Sequence, residues 1–498
     1  MSNRGQQITQ AVILAAGNGK RLQSSTPKPA HRLLGVPLLA RTLLSLEKAG
    51  ITDAYVVTGY EAAKVRETIE RFTRLSLRVH WLHNENWREP NGLSVLAAKE
   101  AVSGPFILTM SDHLFDSSIV KTLIEQTSPA DAISLAVDRA VDSIFDLDDA
   151  TKVAVKGDRI DAIGKTLSTY QAIDTGVFLA TPALFEALDA THAEGRSSLS
   201  DGVQLLAASG RAKVVDVTGK LWQDIDTPEG HAEGERKLLA SVRKATDGPI
   251  ARRINRPISV AISRWLVRTP VSPNMLSVAN LGVGLLSAGV ATLGGYWNFL
   301  ISGLLFQLAS VLDGVDGEVA KLTLQSTKQG EWIDTACDQL SYVAALVGLL
   351  IGVARSDLPP FFLQTGILGL ISAVVGIASI MIYLARQRTS GSALSVKYGF
   401  QSGTGIISRV MRVMQYLTKR DVMAFVVMML AIFGLLPWFV VAYGVGMTLM
   451  FLPATVMANF NLPGRRQPVL TPVATRAAVS QAASHKSAAP QAGQESAA

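Results

Sequence analysis

The chain has 498 residues, of which only 17% are charged, and it carries a formal net charge of +7 with a positive mean hydropathy. An ordinary soluble protein is a poor fit to these values, and the length predicts two or more domains. Charge is mixed over residues 1–240, whereas long apolar runs dominate residues 277–457. A single cysteine, Cys337, excludes an internal disulfide framework. We therefore expect a soluble domain followed by a membrane domain.

The soluble half opens with an apolar run that meets a glycine-containing loop, QAVILAAGNGKRLQSSTPKPAHRLLG. The run predicts a strand, and two separated cations, Arg21 and Lys28, follow the loop. Backbone N–H groups of a strand–loop–helix turn can approach phosphate oxygens, and the cations neutralise charge. The loop lacks the third glycine of the dinucleotide-binding fingerprint and the final GK[ST] of the Walker pattern. It therefore predicts a phosphate-binding loop of another type.

Two later segments place acids near apolar strands: PFILTMSDHLFD (105–116) contains Asp112, and LWQDIDTPEG (221–230) contains Asp226. Together with GNGKRL and the following PKP, they resemble the sugar-1-phosphate nucleotidyltransferases, whose signature reads LAAGxGxRLxxxxPKP. The resemblance implies an α/β Rossmann-like domain. Such enzymes join a sugar or polyol phosphate to a nucleoside triphosphate and release pyrophosphate.

By this resemblance, Lys28 and Arg21 bind the triphosphate as catalytic cations, while Asp112 and Asp226 hold a metal ion. Lys165 and Asp174, within GKTLSTYQAIDTGVFLATP (164–182), are implied to bind the acceptor phosphate and its hydroxyls. A solvated surface lysine is the alternative for Lys165. The implied nucleotide-binding residues of this domain are Leu14, Ala15, Ala16, Gly17, Asn18, Gly19, Asn91, Gly92 and Ser94.

Residues 251–269, ARRINRPISVAISRWLVRT, carry five arginines with Ile, Val, Trp and Leu between them. This pattern predicts an amphipathic helix in the lipid headgroup layer, with an interdomain linker helix as the alternative. The expected units are the nucleotidyltransferase domain (1–240), the linker with this helix (241–270), the membrane domain (271–460) and a disordered tail (461–498).

About 20 apolar residues cross a bilayer, so an all-α membrane domain of six transmembrane helices is predicted, near 277–295, 297–318, 333–353, 361–384, 421–436 and 438–457. Basic residues lie in the connections on one side of the membrane, and only Arg355 lies on the other. By the positive-inside rule, this multi-pass protein of the cell (inner) membrane has its N-terminal domain and both termini in the cytoplasm. The basic residues are Lys321, Lys328, Arg386, Arg388, Lys397, Arg409, Arg412, Lys419, Arg420, Arg465 and Arg466.

Four aspartates lie at the expected cytoplasmic ends of the second and third helices: Asp313 and Asp316, then Asp334 and Asp338. Each pair shares one helical face. Charge within membrane segments is costly and usually functional. Two helices with two acids each can hold hard divalent cations and leave one acid as a base. The pattern predicts phosphoryl chemistry at a membrane surface, with the ion site of a cation transporter as the alternative.

The register Asp313-x-x-Asp316-Gly317-x-x-Ala320, then Gly330-x-x-x-Asp334-x-x-x-Asp338, resembles the CDP-alcohol phosphotransferase signature. It implies that Asp313, Asp316 and Asp334 bind two divalent ions, and that Asp338 completes the metal shell and acts as the base. The ion is expected to be Mg²⁺ in both domains, with Mn²⁺ as the alternative. The implied nucleotide-binding residues of this domain are Pro273, Asn274, Gly317, Ala320 and Lys321.

Two features of this second site concern cations. Lys321 departs from the usual arginine of the signature, so the nucleotide phosphates meet a point charge rather than a guanidinium fork. For a phosphorylated acceptor, cations are expected close to the aspartates, and Lys419 and Arg420 are the candidate substrate ligands. The positive-inside bias alone is the alternative explanation for these cations.

The fused pair resembles the bifunctional enzymes that couple an inositol-1-phosphate cytidylyltransferase to a di-myo-inositol phosphate phosphate synthase. This implies that CTP and inositol-1-phosphate form CDP-inositol, from which the inositol phosphate passes to a second inositol-1-phosphate with release of CMP. The alternatives are the same chemistry with another alcohol or a diacylglycerol-type acceptor, and a non-catalytic membrane-tethered nucleotide sensor. The lipid bilayer and a second copy of the chain are expected partners, and nucleic acid is not.

Overall fold

The computed structural model describes residues 8–72, 74–126, 132–243, 247–387, 419–453 and 455–456. An α/β domain comes first, and long apolar helices follow. The strands of the first domain are β1 (Gln10–Ala15), β2 (Arg32–Leu33), β3 (Val36–Pro37), β4 (Asp53–Thr58), β5 (Arg78–His83), β6 (Phe106–Met110), β7 (His113–Phe115), β8 (Ile133–Asp138), β9 (Lys152–Lys156), β10 (Arg159–Gly164), β11 (Ala172–Ala180), β12 (Ala212–Asp216) and β13 (Trp222–Asp224). Its helices are α1 (Leu38–Ala49), α2 (Ala62–Glu70), α3 (Gly92–Leu96), α4 (Ser117–Gln126), α5 (Ala183–Ala193), α6 (Leu199–Ala208) and α7 (Pro228–Ser241).

Nine of these strands form one mixed sheet in the order β5-β4-β1-β6-β11-β8-β12-β10-β9. Strands β5, β4, β1 and β6 run parallel, and β11 is antiparallel to β6. Because β1 and β6 are parallel neighbours, the loop after Ala15 and the segment after Met110 meet at the same sheet edge. The predicted α/β fold is confirmed, and its topology brings the glycine loop to Asp112.

The core of this domain lies on both faces of the sheet. Alternate residues of β1 point to opposite faces, so Val12 and Leu14 join one apolar cluster while Ile13 joins the other. Helices cover both faces of a central parallel strand, so side chains on both faces must be apolar. This explains why the sequence of β1 is a continuous apolar run.

The second part of the chain is helical. Its helices are α8 (Arg256–Leu266), α9 (Pro273–Ala291), α10 (Tyr296–Leu322), α11 (Lys328–Ala354), α12 (Pro360–Gln387), α13 (Arg420–Ile432) and α14 (Leu436–Gly446), with π-helical turns at Ala251–Asn255 and Met447–Phe451. Side-chain oxygens of Ser272 and Thr327 cap the starts of α9 and α11.

The six predicted membrane spans are not confirmed. Within the described residues, four helices, α9 to α12, are long and apolar enough to cross a bilayer. Helix α13 has 13 residues, which span about 20 Å, less than the roughly 30 Å hydrocarbon core. It ends before Gly434, which has a left-handed φ of 71°. Pro437 lies in the first turn of α14, where its missing N–H costs nothing.

The predicted amphipathic helix is α8. Trp265 and Ile258 on it are 68% and 47% exposed. Arg256, however, is half-buried and forms ion pairs with Asp247 and Glu318. This arginine therefore binds protein carboxylates, and it is not one of the cations available to lipid headgroups.

Both parts of the chain share one apolar core, which we call the interdomain cluster. It comprises Leu22, Leu33, Leu34, Leu38, Leu114, Ile225, Leu238, Val242, Val267, Val315, Val319 and Leu322. Three of these residues lie on α10, the helix that carries Asp313 and Asp316. The α/β domain therefore packs directly against the aspartate-bearing end of that helix.

Candidate active sites

Lys28 is the centre of the first site. It lies in a 3₁₀ turn, Lys28–Ala30, and is only 8% exposed. Its Nζ donates to Asp112 Oδ2 at 2.6 Å and also contacts Asp226 Oδ1. Gly19, with φ of 57°, passes so close that a Cβ there would lie 2.6 Å from the Cβ of Lys28. The second glycine of the loop is therefore required both for its backbone conformation and for the space beside Lys28.

Arg21 and Lys165 meet on one carboxylate that was not predicted from the sequence, Asp149. Arg21 Nη1 and Lys165 Nζ donate to it at 2.6 and 2.8 Å, and Arg21 Nη2 also contacts Asp226. Asp149 lies in the acid-rich stretch DLDDATK (146–152), which was the signal available in the sequence. Asp149 thus brings Arg21, a candidate triphosphate ligand, close to Lys165, a candidate ligand of the acceptor phosphate.

Among the described residues of this domain, the group with metal-ligand geometry is Asp112, His113 and Asp224, whose ligand atoms lie within 4.8 Å of one another. Strand register explains the group, because Asp224 of β13 pairs directly with His113 of β7. Asp112 was selected from the sequence, whereas His113 and Asp224 were missed. Asp226, the residue selected in their place, contacts Lys28 and Arg21 instead.

The electrostatics of this group follow from burial and close charges. Burial would raise the pKa of Asp112, but Lys28 and His113 outweigh it and hold the pKa well below its ordinary value. Burial would lower the pKa of His113, but Asp224 and Asp112 raise it to about 9. Two carboxylates and an imidazole around one point fit a divalent cation, which would displace the proton of His113 on binding.

Asp174 lies beside this group. Burial raises its pKa to about 6, even though Gly176 N donates to its Oδ1 at 2.7 Å. A side chain at Gly176 would overlap the ring of His113. The predicted acceptor ligand Asp174 is thus close to the metal-ligand group.

The remaining predicted nucleotide ligands of this domain divide into two groups. Leu14, Ala15 and Ala16 are buried at the end of β1, and Asn18 Oδ1 accepts from Lys20 N at 3.4 Å. Gly17 has open space on the side where a Cβ would stand.

Asn91, Gly92 and Ser94 make structural contacts. Asn91 Oδ1 accepts from Leu199 N at 2.9 Å, and Ser94 Oγ accepts from Asn84 Nδ2 at 3.0 Å. A side chain at Gly92 would overlap the carbonyl of Ser197.

The second site lies where α10 and α11 approach each other. Ligand oxygens of Asp313, Asp334 and Asp338 lie within 4.8 Å of one another. Carboxylates this close repel unless a proton or a cation lies between them. Asp316, on the same face of α10 as Asp313, accepts from Ser277 Oγ. The all-oxygen donor set fits hard divalent cations such as Mg²⁺.

Arg420, predicted as a phosphate ligand, begins α13 and contacts both Asp313 and Asp338. Its guanidinium also lies 5.4 Å from the ring centre of Tyr342. Lys419 is the residue immediately before α13. The other loop cations, Lys397, Arg409 and Arg412, lie outside the described residues.

The predicted cytidine ligands differ in their surroundings. Gly317 has no neighbouring atom within 4 Å of the position that a Cβ would occupy, so the helix surface at Gly317 is open. Asn274 follows Pro273 at the start of α9. Its Oδ1 lies 3.3 Å from the position that a Cβ on Gly330 would occupy. Ala320 is half-buried. Lys321 Nζ donates to the carbonyl of Ser241, at the end of α7.

Comparison with known proteins covers both parts of the chain. Residues 11–209 match the MobA-like NTP transferase domain, and residues 270–450 match the CDP-alcohol phosphatidyltransferase family. The "Bifunctional IPC transferase and DIPP synthase" of Aquifex aeolicus (strain VF5) is 31% identical over 86% of this chain and 92% of its own.

The protein of the same description from Thermococcus kodakarensis is 30% identical over 91% of this chain and 95% of its own. A solved structure, "Structure of the inositol-1-phosphate CTP transferase from T. maritima", covers 46% of this chain and 96% of its own, with 28% identity and a TM-score of 0.42. The two family matches and the two relatives confirm the resemblance drawn from the two motif sets. The chain belongs to the family of bifunctional IPC transferases and DIPP synthases.

Proposed function

We propose that the chain catalyses two consecutive reactions. In the first, inositol-1-phosphate attacks the α-phosphorus of CTP, which gives CDP-inositol and pyrophosphate. In the second, a hydroxyl of another inositol-1-phosphate attacks the inositol-bearing phosphorus of CDP-inositol, and CMP leaves. One observation carries the proposal: a phosphate-loop site and a cluster of three carboxylates, Asp313, Asp334 and Asp338, occur together in a chain whose bifunctional relatives match it along most of its length.

For the first reaction, positioning and charge neutralisation matter more than proton transfer. We assign Lys28 and Arg21 to the triphosphate, which would replace their present carboxylate partners. Asp112 holds Mg²⁺, and its proximity to His113 and Asp224 supports a wider ligand set than Asp112 with Asp226. Lys165 and Asp174 bind the acceptor alcohol phosphate.

For the second reaction, Asp313, Asp316 and Asp334 hold Mg²⁺ beside the CDP diphosphate. When bound, the cation neutralises charge on the diphosphate oxygens. Asp338 takes the proton of the acceptor hydroxyl. Arg420 contacts this carboxylate, so a phosphate of the acceptor can attract the guanidinium and release Asp338 to act as the base.

The location and partners follow from the helices and charges. The four long apolar helices place the chain in a membrane. We propose the inner membrane, with the first domain and both sites on the cytoplasmic side, because the basic connections lie on that side. A homodimer through the membrane helices stays a prediction.

The test is turnover by purified chain in detergent or lipid vesicles. CTP, Mg²⁺ and labelled inositol-1-phosphate should yield a water-soluble product with two inositols and two phosphates. A labelled product that moves into chloroform when diacylglycerol is present would indicate a lipid acceptor instead. Absence of pyrophosphate and CMP release would contradict both and favour a non-catalytic nucleotide sensor.

A further inference from the structure

The end of α10 that carries the aspartates has three faces with different partners. Asp313 and Asp316 face the second site, where Asp313 contacts Arg420 of α13 and Asp316 accepts from Ser277 Oγ of α9. Glu318 faces α8 and accepts from Arg256 Nη1, Ser259 Oγ and Ser263 Oγ at 2.6–2.7 Å. The third face belongs to the α/β domain.

That third face is an apolar stripe. Val315, Val319 and Leu322 are spaced four and three residues apart, so they lie along one side of the helix. Each is only 1% exposed. They pack in the interdomain cluster, so the α/β domain covers the side of α10 that the aspartates leave free.

Arg41 of α1 closes this contact at the end of the helix. Its Nη1 donates to Leu322 O at 2.8 Å, while its Nε and Nη2 donate to Leu33 O at 3.1 and 2.6 Å. Arg41 is 3% exposed, and each of these hydrogen bonds ends on a carbonyl oxygen. The last carbonyls of a helix carry the negative end of its dipole and lack intrahelical donors. A buried guanidinium supplies both the charge and the donors.

Strands β2 and β3 pair antiparallel and form a hairpin, which Arg41 contacts through the carbonyl of Leu33. Leu34 and Gly35 have φ of 45° and 77°, and Leu34 is 3% exposed within the interdomain cluster. A side chain at Gly35 would overlap the carbonyl oxygen of Val267, which follows α8. Left-handed backbone at a leucine persists where the surrounding structure determines it. The hairpin follows Lys28 by a few residues, so it joins the first site to the interface.

We propose that Arg41 is a positioning residue for the second reaction: the first domain, through this guanidinium, fixes the end of α10 and hence the register of Asp313 and Asp316 against α11. The inference rests on the proposed function. It assigns to the nucleotidyltransferase domain a structural part in the membrane site, in addition to its own reaction.

The test measures the two reactions separately in the full-length chain. Pyrophosphate release from CTP reports the first site, and CMP release from supplied CDP-inositol reports the second. Displacement of reacting groups by about 1 Å can cost about 100-fold. We therefore expect Arg41→Met to lower kcat of the second reaction about 10- to 100-fold and to raise its half-saturating Mg²⁺ concentration, with little change in the KM for CTP.

Two further variants make the result specific. Arg41→Lys keeps the charge but replaces the planar fork, whose separate nitrogens donate to Leu33 O and Leu322 O, with a single point donor, so it should restore part of the activity. Gly35→Ala perturbs the adjacent interdomain contact with the carbonyl of Val267 without removing a buried charge, and it should impair the second reaction selectively. As a matched control, Arg66→Met removes an exposed arginine that pairs with Glu70 on α2, and it should leave both reactions unchanged.

Second-reaction kinetics of Arg41→Met and Gly35→Ala that match the unchanged chain would overturn the inference. So would an equal loss of both reactions in both variants, which would give Arg41 a general structural role only. If the unchanged chain itself releases neither pyrophosphate nor CMP, the proposed function fails instead.

Discussion

Replacement of Lys28 by methionine should disable the first reaction and spare the second. Lys28 is buried, and its ammonium contacts Asp112 and Asp226 at the end of the glycine loop. Methionine has a similar volume and no charge. The variant therefore removes the cation without leaving a large cavity.

The magnitude follows from the contacts. A hydrogen bond to a charged group contributes about 1.5–3 kcal/mol net, so the two contacts of Lys28 amount to about 3–6 kcal/mol. In the reaction, the same ammonium would face phosphate oxygens whose charge develops in the transition state. Loss of one such donor costs about 2.7–4 kcal/mol, which corresponds to about a 100- to 1,000-fold loss of kcat/KM.

The assay is pyrophosphate release from CTP and inositol-1-phosphate, with CMP release from supplied CDP-inositol as the internal control for folding. Lys20→Met is the matched control, because Lys20 lies in the same loop but is exposed. It should stay within about twofold of the unchanged chain, as surface substitutions usually do. The reasoning is refuted if Lys28→Met retains kcat/KM, or if Lys20→Met loses as much.

Three other changes test separate parts of the account. Asp338→Asn should lower CMP release about 100- to 10,000-fold while pyrophosphate release persists; normal CMP release would remove Asp338 from the role of base. The pKa of Asp174 is raised by burial from 3.8 to about 6, so the folded state binds more protons than the unfolded state in that window and stability falls as pH rises through it. Two pKa units correspond to about 3 kcal/mol. In the presence of a chelator, the Asp174→Asn variant should therefore melt at a higher temperature than the unchanged chain at pH 7.5, with little difference between the two near pH 4. Equal melting temperatures at pH 7.5 would contradict this. Glu318→Ala removes one of the two carboxylates that pair with Arg256 and the acceptor of Ser259 and Ser263, while Asp247 still pairs with Arg256. It should lower the free energy of unfolding by about 1–3 kcal/mol, and Glu318→Gln by less; unchanged thermal denaturation in detergent would show that this buried network does not stabilise the fold.

Sequence patterns located the parts of each site that lie on one continuous motif. Lys28 and the glycine loop, and the two aspartate pairs, are each set by local spacing. Asp224 and His113 were missed because their proximity depends on the pairing of β7 with β13, strands more than 100 residues apart. Asp149 was missed because an acid in a loop has no periodicity that distinguishes it from a solvated residue.

Long-range packing also explains the other differences. Arg420 was identified as a cation near the aspartates, but its contacts with Asp313 and Asp338 depend on how α13 packs against α10 and α11. Hydropathy predicted apolar segments for α13 and α14, yet it could not show where Gly434 ends the first of them. Arg41 carried a usable signal, because a lone arginine within the apolar face of LLARTLLSLEKA is rarely buried without a specific partner.

The most direct test of the central claim follows one phosphorus atom through both sites. Full-length chain is supplied with CTP labelled at the α-phosphorus, Mg²⁺ and inositol-1-phosphate, and the labelled species are separated over time. We predict that the label first appears in CDP-inositol and then in CMP, while the final two-inositol product carries none of it, because both of its phosphates come from inositol-1-phosphate. Label retained in the final product, or CMP that forms without a preceding CDP-inositol, would contradict the two-step account.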